Sequence, residues 1–402
     1  MRIVPGILLA VTAVTLSACS GSGGAPSKST TGTAEVGTTG TAQADTTGTG
    51  QASTTGTGQA STMGRTDCAA GYLAQFTTRR KLAQLLTVGI TGAADAENVV
   101  RTEQIGGIFV GSWTDPALLA EKQIDRVKAA AHTPLMVSID EEGGRVSRLR
   151  SMIGPAPAAR VAAQTVSDDE FYKQSLARGG AMKDLGITVD FAPDADVSSQ
   201  PDDSVIGDRS FSDDPEVVTR YAGAFIRAMH DAGLGAVMKH FPGHGSGSGD
   251  SHTGAVRTPP LDQLQGKDLA PFRNLIGSGA GVMVGHLDVP GLTAPNTPAS
   301  ISPQAMALLR QGNGYGAAPF DGPIFTDDLS GMAAITNRMD IEDAVAAALE
   351  AGADNALWIT STAVPQVLDH LEQEVRAGRL PMRQVDDSVV RMARFKGIAL
   401  NC

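Results

Sequence analysis

Eight short apolar runs recur along the chain after about Thr66, and helical patterns separate many of them. Near-continuous apolar strands that alternate with helices are typical of a parallel sheet whose two faces are both buried. Eight such repeats predict an α/β fold with a single (β/α)₈ barrel of the TIM type, and a doubly wound open sheet is the main rival. The predicted strands comprise residues 85–90, 107–110, 135–139, 188–191, 236–239, 281–284, 323–326 and 356–360.

The helices between these strands are predicted from their ends as well as from their apolar patterns. Asp115–Pro116 and Asp214–Pro215 each combine an N-cap carboxylate with a proline in the first helical turn. Glycines that suit a left-handed C-cap follow three of the helices, at Gly186, Gly233 and Gly352. The predicted helices comprise residues 116–131, 169–185, 215–232, 341–351 and 365–377.

Charged and histidine side chains adjoin the ends of five predicted strands. They are Asp140, Glu141, Glu142 and Arg145 at the third strand, Asp190 and Asp194 at the fourth, Lys239 and His240 at the fifth, His286 at the sixth, and Asp327 and Asp328 at the seventh. A parallel barrel brings the carboxyl ends of its strands to one mouth. Ordinary solvated strand ends account for one or two such cases but poorly for five. The sequence therefore predicts a functional site at this mouth.

The loop sequence KHFPGHGSGSGDSHTG, residues 239–254, places three histidines among glycines and serines. It is compatible with a metal site, a catalytic acid/base or a solvated loop. Four of its side chains are acceptable zinc ligands, namely His240, His244, Asp250 and His252. A Phe-Pro-Gly sequence breaks any helix there, and no cysteine is nearby, so a zinc site is disfavoured. The chain also lacks a G-x-S-x-G nucleophile motif and a phosphate-binding loop.

Five motifs in a fixed order resemble family 3 glycoside hydrolases, and most closely their NagZ-type β-N-acetylglucosaminidase branch. The motifs are IDEEGGRVSRL, VDFAPDADV, VIGDRSFSDDP, KHFPGHG followed by DSHTG, and TDDLSGMAAI. The resemblance extends over residues 77–396, which is nearly all of the predicted folded part. The resemblance implies a one-domain TIM-like barrel and a retaining hydrolase that uses no cofactor and no metal.

The resemblance also implies roles for individual residues. Asp327 matches the nucleophile, and His252 with Asp250 matches an acid/base pair on a mobile loop. The positions that match sugar-binding residues are Asp140, Arg145, Arg209, Lys239 and His240. His286 joins the candidate substrate contacts because of its place at a strand end. The family often has an apolar residue where Asp194 stands, which leaves the shape of the local subsite open.

Elementary chemistry agrees with these roles. A retaining enzyme needs a carboxylate at the anomeric carbon and a proton donor for the leaving oxygen. The histidine pKa near neutrality suits His252 for proton transfer, and Asp250 can orient its ring. The glycines and serines of residues 243–249 would let this loop close over substrate. Neighbours in a strand point opposite ways, so only one of Asp327 and Asp328 faces the substrate, and the preceding threonine favours Asp327.

The N-terminus predicts export and lipidation. Arg2 precedes a mostly apolar stretch, 3–16, which is shorter than the ~20 residues that a membrane-spanning helix needs. Leu-Ser-Ala-Cys at residues 16–19 resembles the lipobox of bacterial lipoproteins, so Cys19 is the predicted lipidated residue that ends a signal peptide at residues 1–19. Residues 20–66 are rich in Gly, Ser and Thr and predict a disordered tether. The predicted hydrolase domain comprises residues 67–402.

The remaining cysteines suggest a disulfide, and the net charge limits the class of binding partner. Cys68 and Cys402 lie near the two ends of the folded region, and an exported chain allows them to form a disulfide. A net charge of −11 disfavours nucleic acid as a partner. A monomer is expected.

The two tryptophans, Trp113 and Trp358, are interpreted as core or barrel-rim residues, although their positions near strand ends also allow contact with sugar.

The sequence therefore predicts an enzyme of the cell envelope, anchored by lipid to the outer face of the cell membrane. It would remove terminal N-acetylglucosamine (GlcNAc) from fragments derived from peptidoglycan. Two alternatives stay open. A histidine repels anions less than the usual glutamate, so phosphate could replace water and give a phosphorylase. A surface lipoprotein that only binds glycan would have lost the nucleophile or the acid/base, and both are present.

Overall fold

The computed structural model describes residues 69–400. Cys19, Cys68 and Cys402 lie outside these residues, and so do the predicted signal peptide and tether. The lipidation, the disulfide and the domain boundaries therefore stay predictions.

Eight parallel strands form one sheet at the centre of the described chain. All eight predicted strands are found, with ends that differ by at most two residues. The strands are β1 (Leu86–Ile90), β2 (Gly107–Val110), β3 (Met136–Ile139), β4 (Val189–Asp190), β5 (Gly235–Phe241), β6 (Gly281–Val284), β7 (Ile324–Thr326) and β8 (Ala356–Trp358). Neighbours in sequence pair side by side from β1 to β7, and β8 pairs with β1.

Hydrogen bonds between β7 and the residues that lead into β8 nearly close this sheet. The Thr326 N–H donates to the Asn355 carbonyl at 3.0 Å, and the Asn355 N–H donates to the Ile324 carbonyl at 3.1 Å. The Leu357 N–H donates to the Thr326 hydroxyl at 3.0 Å. The fold is therefore α/β with a nearly closed, barrel-like sheet, as predicted, and the rival open sheet is wrong.

Helices pack around the sheet and match most of the predicted ones. The longer helices are Ala93–Glu103, Asp168–Asp184, Pro215–Ala232, Pro303–Gln311, Ile341–Ala351, Val364–Ala377 and Met382–Phe395. Shorter helical segments are Thr78–Ala83, Ala117–Ala120, Ile124–Ala129, Arg150–Ile153, Ala159–Thr165, Leu261–Gly266, Ala270–Leu275 and Ala333–Thr336. Short 3₁₀ turns occur at Gly207–Arg209 and Ala299–Ile301.

One predicted helix is broken. The pattern predicts a single helix over 116–131, but the structure has two short helices there. Lys122 between them has a φ of 54°, which ends the regular helical hydrogen bonding. Lys122 and its neighbour Glu121 are exposed, so no packing against the sheet opposes the break.

The interior of the sheet is a packed core. Phe191 stacks on Phe109 with ring centroids 5.9 Å apart and meets Phe325 edge-on at 5.5 Å. Trp358 is fully buried beside them on β8. Burial of each such side chain stabilises the fold by about 1.5–3 kcal/mol relative to its exposure. This core fixes the strand ends that carry the polar groups.

Two small elements lie beyond the carboxyl ends of the strands. The segments Glu141–Gly143 and Val146–Ser147 form an antiparallel hairpin after β3. The segments Val256–Arg257 and Leu287–Asp288 pair in parallel after β5 and β6. Among residues 69–400, no helix has both the length and the apolar character needed to cross a membrane.

Candidate active site

A cavity of about 320 Å³ opens at the carboxyl ends of the strands. This volume lies within the ~300–1,000 Å³ range of small-molecule sites. The cavity brings together six of the residues that the sequence predicts for the site, namely Asp140, Arg209, Lys239, His240, His252 and Asp327. The predicted mouth of the barrel is therefore where these groups converge.

Lys239, near the end of β5, lies between two carboxylates. Its Nζ is 2.7 Å from Asp140 Oδ1 and 2.6 Å from Glu142 Oε1, and the lysine is almost fully buried. Burial would lower the pKa of Lys239, but Asp140 and Glu142 raise it well above the usual lysine value. The amine is therefore a permanent cation that can donate to substrate oxygens.

Arg209 shares Glu142 with Lys239. Its Nε and Nη2 bind the two Glu142 oxygens at 2.8 and 2.9 Å in a bidentate pair. Burial would raise the pKa of Glu142, but Arg209 and Lys239 hold it far below its usual value. Glu142 stands in the EEGG motif, but no binding role was predicted for it. The feature that could have indicated such a role is its position just after the third strand.

His240 is oriented by a buried aspartate. Its Nδ1 lies 2.7 Å from Asp196 Oδ2, and its Nε2 lies 3.4 Å from Arg209 Nη2. Burial would lower the pKa of His240, but Asp196 raises it above the ordinary histidine value. Asp196 also accepts the His244 N–H at 2.6 Å. The His240 ring thus has a fixed orientation in the cavity wall.

Asp194 is a buried carboxyl behind this cluster. Its Oδ1 accepts the Asp196 N–H at 2.9 Å, while Oδ2 has no hydrogen-bond partner and lies 3.7 Å from Arg209 Nη2. Burial and the Asp196 charge raise the pKa of Asp194 to about 8, against the lowering effect of Arg209 and His240 and with a further rise from Glu142. The group is therefore mostly protonated at neutral pH.

Asp327 and Asp328 follow β7 and differ in what they bind. Burial would raise the pKa of Asp327, but His240, His286, the Asp328 N–H and Lys239 hold it below the usual aspartate value. The Asp328 carboxylate instead caps the turn that follows, accepting the Ser330 and Gly331 N–H groups at 2.9 Å each. Burial raises the pKa of Asp328 to about 6. Of the two carboxylates on this part of the cavity wall, Asp327 has the lower pKa, and it does not cap the turn.

His252 and Asp250 form a pair on the loop after β5. His252 Nδ1 lies 2.8 Å from Asp250 Oδ1, and the same oxygen accepts the His252 N–H at 2.9 Å. Burial would raise the pKa of Asp250, but its hydrogen bonds from His252 lower it. The His252 side chain is 60% exposed even though it lines the cavity. Solvent therefore reaches this pair.

Hydrogen bonds anchor the loop that carries this pair. The Ala334 N–H donates to the Ser251 carbonyl at 3.0 Å, so the loop is tied to the segment after β7. The Ser248 N–H donates to the Arg257 carbonyl at 2.9 Å, and the Gln200 side chain donates to the Gly247 carbonyl at 2.9 Å. In this conformation, His252 lies at the edge of the cavity that contains Asp327.

Two predicted substrate contacts do not line this cavity. Arg145 donates to backbone carbonyls of 202–206 and pairs with Asp208, so it holds that loop. The His286 ring is fully used, with Nδ1 2.6 Å from the Ser300 hydroxyl and Nε2 2.7 Å from the Asp328 carbonyl. Arg148 lines the cavity instead, 3.8 Å from Asp140.

Within residues 69–400, one group of side chains is close enough together to hold a cation. Asp194, Asp196 and His240 bring ligand atoms within 4.8 Å of one another. The Arg209 guanidinium lies against two members of this group, and its positive charge opposes a cation there. The observed arrangement favours hydrogen bonding within the protein over metal coordination.

A carboxylate and a carboxylate-backed imidazole on one cavity at the strand ends are compatible with acid/base-assisted cleavage of a glycosidic bond. The class that this fold and site define is therefore a glycoside hydrolase. The sequence profile of the Glycosyl hydrolase family 3 N terminal domain matches residues 77–395, and the chain belongs to this family.

Known relatives agree with this assignment. The chain is 56% identical over 335 residues to the beta-hexosaminidase LpqI of Mycobacterium tuberculosis, covering 83% of this chain and 86% of LpqI. The solved structure of M. tuberculosis LpqI matches with a TM-score of 0.80 over 83% of this chain and 97% of that chain, at 56% identity. A family 3 beta-N-acetylglucosaminidase from Paenibacillus sp. str. FPU-7 matches with a TM-score of 0.74 and 32% identity, covering 80% of this chain and 63% of that chain.

Proposed function

We propose that this glycoside hydrolase is an exo-acting, retaining β-N-acetylglucosaminidase that removes terminal GlcNAc from fragments derived from peptidoglycan. The observation that carries the proposal is one cavity lined by the ionised Asp327, the exposed His252 and a buried set of hydrogen-bonding cations. The beta-hexosaminidase and beta-N-acetylglucosaminidase names of its relatives support the same substrate class.

The first half-reaction forms a glycosyl-enzyme. The Asp327 carboxylate attacks the anomeric carbon, and the bond from that carbon to the leaving oxygen breaks. The His252 imidazolium gives its Nε2 proton to the leaving oxygen, while Asp250 accepts a hydrogen bond at Nδ1 and stabilises the cation. The low pKa of Asp327 supports the nucleophile role, because the carboxylate is ionised before substrate arrives.

The second half-reaction releases the sugar. Neutral His252 takes a proton from water, the water oxygen attacks the anomeric carbon, and Asp327 leaves as a carboxylate. Two displacements on the same carbon retain the β configuration. The exposure of the His252 side chain supports this role, since water must reach the imidazole in this step.

The buried polar side chains of the cavity would hold the terminal sugar. Lys239, Arg209 and His240 supply donors, and Asp140 supplies an acceptor for hydroxyl groups. Mutual pairing fixes these side chains before binding, so little conformational entropy is lost when substrate arrives. Such hydrogen bonds accelerate the reaction where they strengthen in the transition state.

The location of the enzyme is part of the proposal. We expect a (β/α)₈ barrel of the TIM type, monomeric and preceded by a cleaved signal peptide and a disordered tether. Cys19 would carry the lipid that holds the enzyme to the outer face of the cell membrane. A pairing of Cys68 with Cys402 is expected to connect the two ends of the domain.

The test compares three proteins, namely the full-length enzyme, Asp327→Asn and His252→Ala. Two β-N-acetylglucosaminides are used, one with an activated aryl leaving group and one with methoxide. We expect the parent to release β-GlcNAc from both, and Asp327→Asn to lose nearly all activity. His252→Ala should lose about 10²–10⁴-fold in kcat/KM on the methyl glycoside, and much less on the aryl glycoside, which leaves without a proton.

His230→Ala is the matched control, because this histidine is 83% exposed near the end of the helix Pro215–Ala232 and does not line the cavity. It should behave as the parent does. GlcNAc-1-phosphate formed in phosphate buffer would replace the hydrolase proposal with a phosphorylase. A folded parent that releases nothing from either glycoside would instead favour a glycan-binding protein.

A further inference from the structure

Trp113 is an exposed aromatic residue at the rim of the active-site cavity. Its surface is 44% exposed, and Val161 is the one other large apolar residue reported as exposed within residues 69–400. Trp113 lines the same cavity as Asp327 and His252. Its indole offers a flat, largely apolar surface that a ligand can cover.

The indole ring is held in one position by packing from beneath. Gly111 lies directly under it, and a Cβ atom at this glycine would come within 2.4–2.5 Å of three atoms of the six-membered ring. On another side the ring contacts Phe109, with centroids 6.0 Å apart, and Phe109 stacks on the core residue Phe191. The absence of a side chain at 111 therefore lets the indole lie close to the backbone.

The turn that carries Trp113 is fixed as well. The Gly111 N–H donates to the Thr114 hydroxyl at 3.0 Å, and that hydroxyl donates to the Ile90 carbonyl at 2.7 Å. The Asp115 N–H donates to the Thr91 carbonyl at 2.9 Å. Bonds to the end of β1 thus hold the turn after β2. An aromatic residue in a rigid turn loses little entropy when a ligand covers it.

The two kinds of cavity wall suit two different sugars. The buried charged groups bind hydroxyls on a sugar that is enclosed, whereas Trp113 faces solvent at the rim. The C–H groups on one face of a pyranose are weakly positive, and they complement the negative face of an aromatic ring. In an exo-acting enzyme, the ring that projects from the cavity toward solvent belongs to the leaving group.

We propose that Trp113 is a stacking platform for the sugar ring on the leaving-group side of the scissile bond. This inference rests on the proposed function. It makes the preferred substrates glycans of at least two sugars, in preference to glycosides with a small leaving group. Trp113 determines this specificity and takes no part in bond cleavage.

The kinetic test uses a matched pair of substrates, N,N′-diacetylchitobiose and methyl β-N-acetylglucosaminide. Both release an alkyl alcohol and need the same acid assistance, so the second sugar ring is the main difference. Trp113→Ala should lower kcat/KM about tenfold or more on the disaccharide and by less than about twofold on the methyl glycoside. Trp113→Phe, which keeps an aromatic face, should retain most of the disaccharide activity.

Gly111→Ala tests the placement of the ring without removing it. The new methyl group displaces the indole, so we expect the same selective loss on the disaccharide. An equal loss on both substrates with Trp113→Ala, or no loss on either, overturns the platform. The inhibition constant of free GlcNAc should stay the same in every variant, because this sugar fills only the enclosed part of the cavity and does not reach Trp113.

A binding measurement separates failure of this inference from failure of the proposed function. The chain has two tryptophans, and Trp358 is fully buried. In Asp327→Asn, the disaccharide should shift the emission of Trp113 to shorter wavelength, whereas GlcNAc alone should not. Adding Trp113→Phe should abolish the shift. A shift of equal size with GlcNAc alone overturns the platform. If the parent hydrolyses neither substrate, the proposed function fails, and this titration alone decides the inference.

Discussion

Glu142 is the residue on which the buried charges of the cavity depend. It pairs with both Lys239 and Arg209, and its pKa is held low because those two cations surround it. Loss of its charge would leave two buried cations with less than full compensation. Removal of one partner from a buried ion pair costs about 3–5 kcal/mol.

We expect Glu142→Gln to lower the free energy of unfolding by about 3 kcal/mol, because Lys239 and Arg209 stay buried without their shared anion. The same variant should lower kcat/KM at least about tenfold, since both cations would move from their fixed positions. Urea unfolding and kinetics on an aryl β-N-acetylglucosaminide measure the two effects. Glu121→Gln is the control at an exposed site, and equal stability of the two variants would contradict the account.

Asp194 gives the stability a pH dependence. Its folded-state pKa of about 8 lies above the ordinary aspartate value near 4, so the folded protein holds one more proton than the unfolded chain between these pH values. Stability from this group is complete below about pH 4 and is lost as pH rises toward 8. The effect is on the order of 5 kcal/mol at most.

Asp194→Asn should remove this dependence, because the amide cannot ionise and its oxygen can still accept the Asp196 N–H. The free energy of unfolding of the variant, relative to that of the parent, is therefore expected to be higher at pH 9 than at pH 5. Denaturant unfolding at both pH values gives the comparison. A stability difference between variant and parent that is the same at pH 5 and pH 9 would contradict this pH dependence.

At this scale, most of the residues that the sequence predicts for the site come together in the cavity, whereas Arg145 does not line it. The strand ends and the motifs pointed to Asp140, Lys239, His240 and Asp327, which do meet in the cavity. After β3, however, the chain turns back as a hairpin, and hairpin geometry decides which side chains face inward. Arg148 therefore lines the cavity, while Arg145, three residues earlier, faces the 202–208 loop. Neither strand nor helix periodicity reveals this choice.

Among the elements, the helix Pro215–Ala232 shows how a local signal fixes a boundary. The Asp214 carboxylate accepts the Glu216 N–H at 2.8 Å, and Pro215 occupies the first turn. The C-cap Gly233 has a φ of 79°, which suits glycine. Both ends of this helix were predicted to the residue, because the Asp-Pro N-cap and the C-cap glycine can be recognised from the sequence alone.

Asp214→Ala should reduce the free energy of unfolding by about 1 kcal/mol, since one N–H at the helix N-terminus loses its partner. Catalysis should be unchanged. Thermal or urea unfolding measures the loss, with Asp213→Ala as the matched control, because Asp213 is adjacent but accepts no helix N–H in the structure. A loss of the same size in both variants would contradict the capping role.

The strands were more predictable than the helices. Each strand is a short apolar run buried on both faces, so burial alone defines it. The break at Lys122 was not predictable, because the residues 121–123 carry no glycine or proline to signal it. The hairpin after β3 was missed for a different reason, since its EEGGRVS sequence is too polar to indicate a strand.

At the scale of the whole molecule, the predicted membrane anchor belongs to residues outside the described part of the chain. The proposed attachment depends on Cys19, the residue that the lipobox-like sequence predicts to be lipidated. An acyl anchor contributes about 0.8 kcal/mol of membrane affinity for each buried CH₂ group. Attachment should therefore be lost with the cysteine, while the barrel and its chemistry stay intact.

We expect Cys19→Ala to move the enzyme from the membrane fraction to the soluble fraction or the medium, with kcat/KM unchanged. Fractionation of an expressing actinobacterium and activity assays of each fraction provide the measurement. Cys68→Ala serves as the control for loss of a cysteine outside the lipobox, and it should stay in the membrane fraction. Retention of the Cys19→Ala protein in the membrane fraction would contradict lipid anchoring at this residue.

The central claim is that Asp327 forms the covalent glycosyl-enzyme, and trapping that intermediate tests it most directly. The full-length enzyme is treated with a fluorinated N-acetylglucosaminyl fluoride, whose glycosyl-enzyme hydrolyses slowly, and the digested protein is analysed by mass spectrometry. The account predicts one sugar on Asp327, absent in Asp327→Asn. A label on Asp328 or another carboxylate, or release of α-configured product with no label, would contradict it.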